Sequence, residues 1–184
     1  LLWGLDRYKA PSTAEKLIRD LIEDYGLDLN SDKKIILVTA HRRENFGKGL
    51  EDICGALKEI AIKRDDVVVV YPVHPNPNVQ KIARAVLGAT KNVFLTMPIA
   101  YELFAYLMSR AHFILTDSGG IQESAPSLNK PVLVMREKTE RNEGVEIGAS
   151  KLVGTNKEKI VSAALDLLDN QKAYASMTGK RNPY

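Results

Sequence analysis

Five short apolar runs punctuate the chain, at residues 35–38, 67–70, 93–95, 113–115 and 132–135. They are mostly β-branched and continuous rather than alternating in polarity, the pattern of strands buried on both faces of a parallel sheet. Between them, apolar positions recur at helical spacing over residues 49–64, 78–87, 101–111 and 120–128. A weaker strand at 151–154 precedes a helix over 157–168. Right-handed crossovers of this length predict an α/β fold, a doubly wound, mainly parallel sheet of about six strands with helices on both faces. Such a sheet receives ligands at the carboxyl ends of its strands. The unusual residues gather there: AHRREN after the first run, YPVHPNPN after the second, TDSGG after the fourth and REKTER after the fifth.

Composition narrows the class. At 184 residues the chain is sized for one domain with one good core. The formal net charge of +3 comes from basic residues interspersed with acidic ones along helices, which reads as a solvated surface rather than a nucleic-acid site. The lone Cys54 lies in a helical pattern and offers neither a disulfide nor a thiolate metal site, as expected of a reducing, cytoplasmic compartment. No apolar run approaches the roughly 20 residues that span a bilayer. The opening LLWGLDRYK is partly apolar and lacks helix or strand periodicity. Residues 1–10 are therefore expected to be a lead-in from a preceding domain, and 11–184 the domain itself, while the final NPY carries no cap or turn signal.

Asp117-Ser118-Gly119-Gly120 sits between a strand and a helix. Glycines there give access to backbone angles closed to other residues and let a bulky anion approach the main chain. The free N–H groups of a first helical turn suit a phosphate, and a pyrophosphate is the natural guest. The alternative is that Asp117 and Ser118 cap the helix and the glycines make a tight turn. The spacing is neither G-x-G-x-x-G nor G-x-x-x-x-G-K-[ST], so NAD binding and ATP hydrolysis are not indicated.

His41 at a strand's carboxyl end can exchange a proton near neutral pH, and the adjacent Arg42 and Arg43 can grip phosphate; the alternative is a charged loop whose histidine bonds to backbone. His74 lies between closely spaced prolines that hold its loop extended, for shape or for ligand contact. His112 opens an apolar strand and reads as structural. Three histidines on separate elements, without HExxH or a cysteine cluster, do not indicate a metal. The segment 136–144 combines anion grips with carboxylates suited to sugar or ribose hydroxyls.

TAHRRENFG, YPVHPNPNV, LTDSGGIQE, APSLNKPVLVMR and TERNEGVE, in this order, resemble the motifs of the non-hydrolysing bacterial UDP-N-acetylglucosamine 2-epimerases across essentially the whole chain. The resemblance implies the C-terminal, Rossmann-like half of a two-domain architecture shared with sugar-nucleotide glycosyltransferases, with a homodimer formed through the other domain. It implies interconversion of UDP-N-acetylglucosamine and UDP-N-acetylmannosamine without NAD, by elimination of UDP to 2-acetamidoglucal and re-addition. His41 matches the active-site histidine, Ser118, Gly119 and Gly120 the phosphate-holding turn, Arg141 a substrate-contacting arginine and Phe104 an aromatic near the uracil. Arg42 and His74 match residues that touch a second, activating UDP-N-acetylglucosamine. The principal acid and base carboxylates belong to the other domain.

Two positions depart from that pattern. The family usually follows its glutamine with two glutamates, the second of which clamps the ribose, but this chain reads Gln122-Glu123-Ser124. Losing such a charge-assisted bond costs roughly 1.5–3 kcal/mol. Ile99 stands where a polar residue near the base is expected. A sugar-nucleotide glycosyltransferase and a non-catalytic binding module are the alternative readings.

Overall fold

The computed structural model describes residue 19, residues 23–29 and residues 32–184; the lead-in expected at 1–10 lies outside them. Six strands form one parallel sheet: β1 (Lys34–Thr39), β2 (Val67–Pro72), β3 (Val93–Thr96), β4 (Phe113–Thr116), β5 (Val132–Val134) and β6 (Ser150–Leu152). From β1 onward the α-helices are α1 (Lys48–Lys63), α2 (Pro77–Leu87), α3 (Tyr101–Arg110), α4 (Gly119–Ser124), α5 (Asn142–Glu146), α6 (Lys157–Asp169) and α7 (Gln171–Met177).

Alternate residues of the buried strands feed two cores. Ile36 and Val38 pack with α1, α2, α6 and α7, whereas Ile35 and Leu37 pack with α3 on the opposite face. Both faces of β1 are thus apolar, as a strand covered on two sides requires. The strand order is β3-β2-β1-β4-β5-β6. The chain reverses direction across the sheet between β1 and β4, so their carboxyl ends flank the topological switch point.

Local chemistry sets the element ends. Gly47 adopts φ 76° before α1, a left-handed conformation that suits glycine. Asn76 caps α2 through the Asn78 N–H with Pro77 in its first turn, and Asn170 caps α7 through the Lys172 and Ala173 N–H groups. The single helix expected over 120–128 is instead α4 followed by a 3-10 turn, Ala125–Leu128. Pro126 lacks the N–H that an α-helix would use there, and the turn ends on Asn129 in the left-handed region at φ 57°. α5 and α7 are too short to show a period, and the charged loop expected over 136–144 contains the start of α5. The last strand starts one residue earlier and ends two residues earlier than its apolar pattern suggests.

No helix among the described residues is long and apolar enough to cross a membrane. Cys54 is fully buried in α1, and burial pushes its thiol up to about 12. It is expected to resist a thiol-specific reagent near neutral pH while the chain is folded and to react once per chain in denaturant. Rapid stoichiometric labelling of the folded chain contradicts this packing of α1 on the sheet.

Candidate functional site

The residues matched to a substrate site lie beyond the strands' carboxyl ends. His41 and Arg42 follow β1, His74 follows β2, Ile99 and Phe104 follow β3, Ser118–Gly120 follow β4 and Arg141 follows β5. Asp117 joins the first group to the fourth. Its side chain is fully buried. One carboxylate oxygen, Oδ2, accepts the backbone N–H of His41 at 2.8 Å and of Arg42 at 2.7 Å, and the Asn45 amide at 3.2 Å. The other, Oδ1, has no hydrogen-bond partner and faces His41 Nδ1 at 3.6 Å. Arg42 Nε also donates to the Asp117 carbonyl at 3.3 Å.

Further bonds fix the same corner. Tyr71, buried in β2, donates its hydroxyl to the Ala40 carbonyl at 2.7 Å, and the Thr39 and Thr116 hydroxyls meet at 2.5 Å across β1 and β4. Thr116 Oγ1 accepts the Ser118 N–H at 3.0 Å. These bonds hold the turn from below, so the first turn of α4 is presented outward.

The structure corrects two readings of that turn. Asp117 and Ser118 do not cap α4: the Asp117 carboxylate turns to the β1 loop, and Ser118 makes no side-chain capping bond. Nor do Gly119 and Gly120 adopt positive φ, because they are the first two residues of the helix. What glycine supplies here is room. A Cβ on Gly120 would meet nothing within 4 Å, and one on Gly119 would rest 3.6 Å from the Arg141 guanidinium. The backbone donors of a first helical turn have no intrahelical acceptor; here Gly120 is exposed, Gly119 is buried, and the Arg141 guanidinium stands beside Gly119.

Arg141 is held by Glu123, whose Oε1 accepts from Nε at 2.5 Å. Glu123 is therefore committed to Arg141. Behind the pair, Thr139 donates to Gln122 Oε1 at 2.7 Å and accepts the Arg141 N–H at 3.1 Å, and Gln122 donates to the Ser118 carbonyl at 3.2 Å. Arg136, buried and adjacent, donates to Glu44 at 2.7 Å and to both oxygens of Glu140 at 2.7 and 3.0 Å. Its hydrogen bonds hold the Glu140 carboxyl down at about 2. Sequence pattern singles out none of Asn45, Gln122, Thr139 or the Glu123 pairing, since each acts through a partner distant in the chain.

A second group sits beside the turn. The His41 and His74 rings stack with centroids 5.4 Å apart and 15° between planes, and the Asn76 N–H donates to His74 Nδ1 at 3.1 Å. With Thr39, Pro98, Ile99 and Phe104 they line a hollow of about 170 Å³. His112 is elsewhere, at the amino end of β4, stacked on Tyr174 at 4.3 Å. Larger hollows of about 560 and 630 Å³ open at the amino ends of the strands, beside Lys33 and Lys91 and beneath α6 and α7. A surface open on one side encloses little volume, so the convergence of donors and cations, not size, marks the site. Among the described residues no three His, Cys, Asp or Glu side chains gather as a metal centre needs.

Residues 6–184 match the family model for UDP-N-acetylglucosamine 2-epimerase. The chain is 56% identical over 169 residues to UDP-N-acetylglucosamine 2-epimerase of Campylobacter jejuni, covering 92% of this chain and 44% of that one. It is 50% identical to the enzyme of Escherichia coli K12 over all 184 residues, 48% of that protein. The crystal structure of UDP-GlcNAc 2-epimerase from Neisseria meningitidis bound to UDP-GlcNAc superposes with TM-score 0.92 at 41% identity, over 98% of this chain and 47% of that one. The chain thus spans about half the length of the curated relatives it matches.

Asp117 carries the local arrangement. Asp117→Ala leaves the His41 and Arg42 N–H groups unpaired and removes one of the two bonds made by the Asn45 amide, which keeps the Met135 carbonyl, and is expected to destabilise the chain by roughly 3 kcal/mol or more in chemical denaturation. A loss below about 1 kcal/mol contradicts this account of the corner.

Proposed function

The chain belongs to the UDP-N-acetylglucosamine 2-epimerase family, and we propose that it forms the nucleotide-holding half of an enzyme interconverting UDP-N-acetylglucosamine and UDP-N-acetylmannosamine. The observation that carries this reading is the side-chain-free start of α4, exposed at Gly120, with the Arg141 guanidinium beside Gly119. In the reaction a proton leaves C2 of the sugar as the bond from C1 to the diphosphate oxygen breaks. The bonding pair departs with UDP, and a C1=C2 double bond remains in 2-acetamidoglucal. UDP then returns to C1 while a proton is delivered to the other face of C2. Elimination and addition balance without an oxidant.

The residues fit this sequence of charges. Negative charge grows on the leaving diphosphate, where the N–H groups of Gly119 and Gly120, the Ser118 hydroxyl and Arg141 oppose it. Asp117 sets a carboxylate oxygen 3.6 Å from His41 Nδ1, beside the imidazole that exchanges a proton with substrate. Phe104 offers its ring to the uracil. Arg42 and His74 receive a second UDP-N-acetylglucosamine, and the stack of His74 on His41 supplies a physical link between the two positions. The carboxylates that act as acid and base come from the part of the relatives' length that this chain does not span.

Ser124 and Ile99 favour one second reading, a sugar-nucleotide-binding module whose nucleotide grip has weakened. Calorimetric titration of UDP into this chain and into its Ser124→Glu variant tests the nucleotide site on which both readings rest. The epimerase reading predicts binding, tightened about tenfold by the glutamate, equivalent to about 1.4 kcal/mol, and no epimerisation by the chain alone. No binding to either version contradicts the assignment of the DSGG turn, and turnover by the chain alone contradicts the division of labour.

A further inference from the structure

The segment Asn182-Pro183-Tyr184 holds both members of the Glu123–Arg141 ion pair by their backbone carbonyls. Asn182 Nδ2 donates to the Glu123 carbonyl at 2.9 Å and to the Ser127 hydroxyl, and the Tyr184 hydroxyl donates to the Arg141 carbonyl at 3.0 Å. The same hydroxyl accepts the Gly144 N–H at 2.9 Å, and the Tyr184 N–H closes back on Asn182 Oδ1 at 3.0 Å. One short segment therefore ties α4 to the start of α5.

Gly144 gives an independent sign that this contact is built in. A Cβ there would lie 2.9 Å from the Tyr184 hydroxyl oxygen and 3.2 Å from Ser150 Oγ. Its φ is not positive, so glycine is required for close approach and not for backbone conformation. On its other side Arg141 is held through Thr139, Gln122 and the Ser118 carbonyl. Its backbone, at φ −112° and ψ 56°, lies outside the helix it precedes. Without the tyrosine one of those two restraints is gone, and a long guanidinium side chain on a loosened backbone samples many rotamers.

We propose that Asn182 and Tyr184 are positioning residues, which fix Arg141 against the start of α4 so that its charge is preorganised for a diphosphate. This rests on the reading of that turn as the diphosphate site, but the placement of Arg141 is testable without ligand.

The test compares wild type with Tyr184→Phe by two measurements: solvent exchange of the Arg141 Nε–H, followed by nitrogen-15 NMR, and calorimetric titration with UDP. Loss of one hydroxyl is expected to move Tm by no more than about 4 °C, to speed exchange at Arg141 Nε–H and to weaken UDP binding about fivefold or more. Gly144→Ala should reproduce both effects by displacing the hydroxyl, and should add less in the Tyr184→Phe background than alone. Unchanged Arg141 exchange in Tyr184→Phe overturns the proposal, and so does faster exchange with unchanged UDP affinity. Faster exchange in a chain whose wild type does not bind UDP supports the placement of Arg141 and contradicts the function assigned to the turn.

Discussion

A single buried carboxylate organises the edge of this fold at the carboxyl ends of β1 and β4. Asp117 follows β4 at the point where the strand order reverses, and its Oδ2 gathers the N–H groups of His41 and Arg42 from the neighbouring strand's loop. A charge buried without solvent is costly unless donors surround it. The β1 loop must therefore fold over the β4 turn. That requirement places an imidazole within 3.6 Å of the carboxylate and leaves the adjacent glycines free of side-chain caps.

The charged residues beyond β5 follow the same logic of mutual restraint. Arg136 is buried and fastens the β1 loop, through Glu44, to the segment that carries Arg141. Arg141 is partly exposed and paired to one carboxylate, so its guanidinium keeps donors available beside Gly119. One arginine binds the loops together, and the other faces the open turn.

Much of the sheet is legible in the sequence because strands buried on both faces are written as continuous apolar runs, and their order fixes the side on which ligands gather. The break after Ser124 depends on Pro126 as much as on periodicity, and α5 and α7 are too short for a period to show. Motif spacing points to His41, Arg141 and the DSGG turn, yet it misreads why the glycines are there: they supply space, not unusual backbone angles. The task of Asp117 is set by residues 75 and 76 positions away, and that of Tyr184 by residues 40 and 43 away. No local pattern encodes such pairings, because each partner is an ordinary loop residue until the sheet brings the two together.

A UDP diphosphate seated at the start of α4, with the loop tied to it by Asp117, must perturb the amides of that turn, so backbone amide shifts recorded by NMR while UDP is added to the chain are the decisive measurement. The largest changes are expected at Gly119, Gly120 and Ile121, with smaller ones at His41 and Arg42. Changes centred instead on the hollow beside Lys33 and Lys91, or none anywhere along the chain, would contradict that placement of UDP.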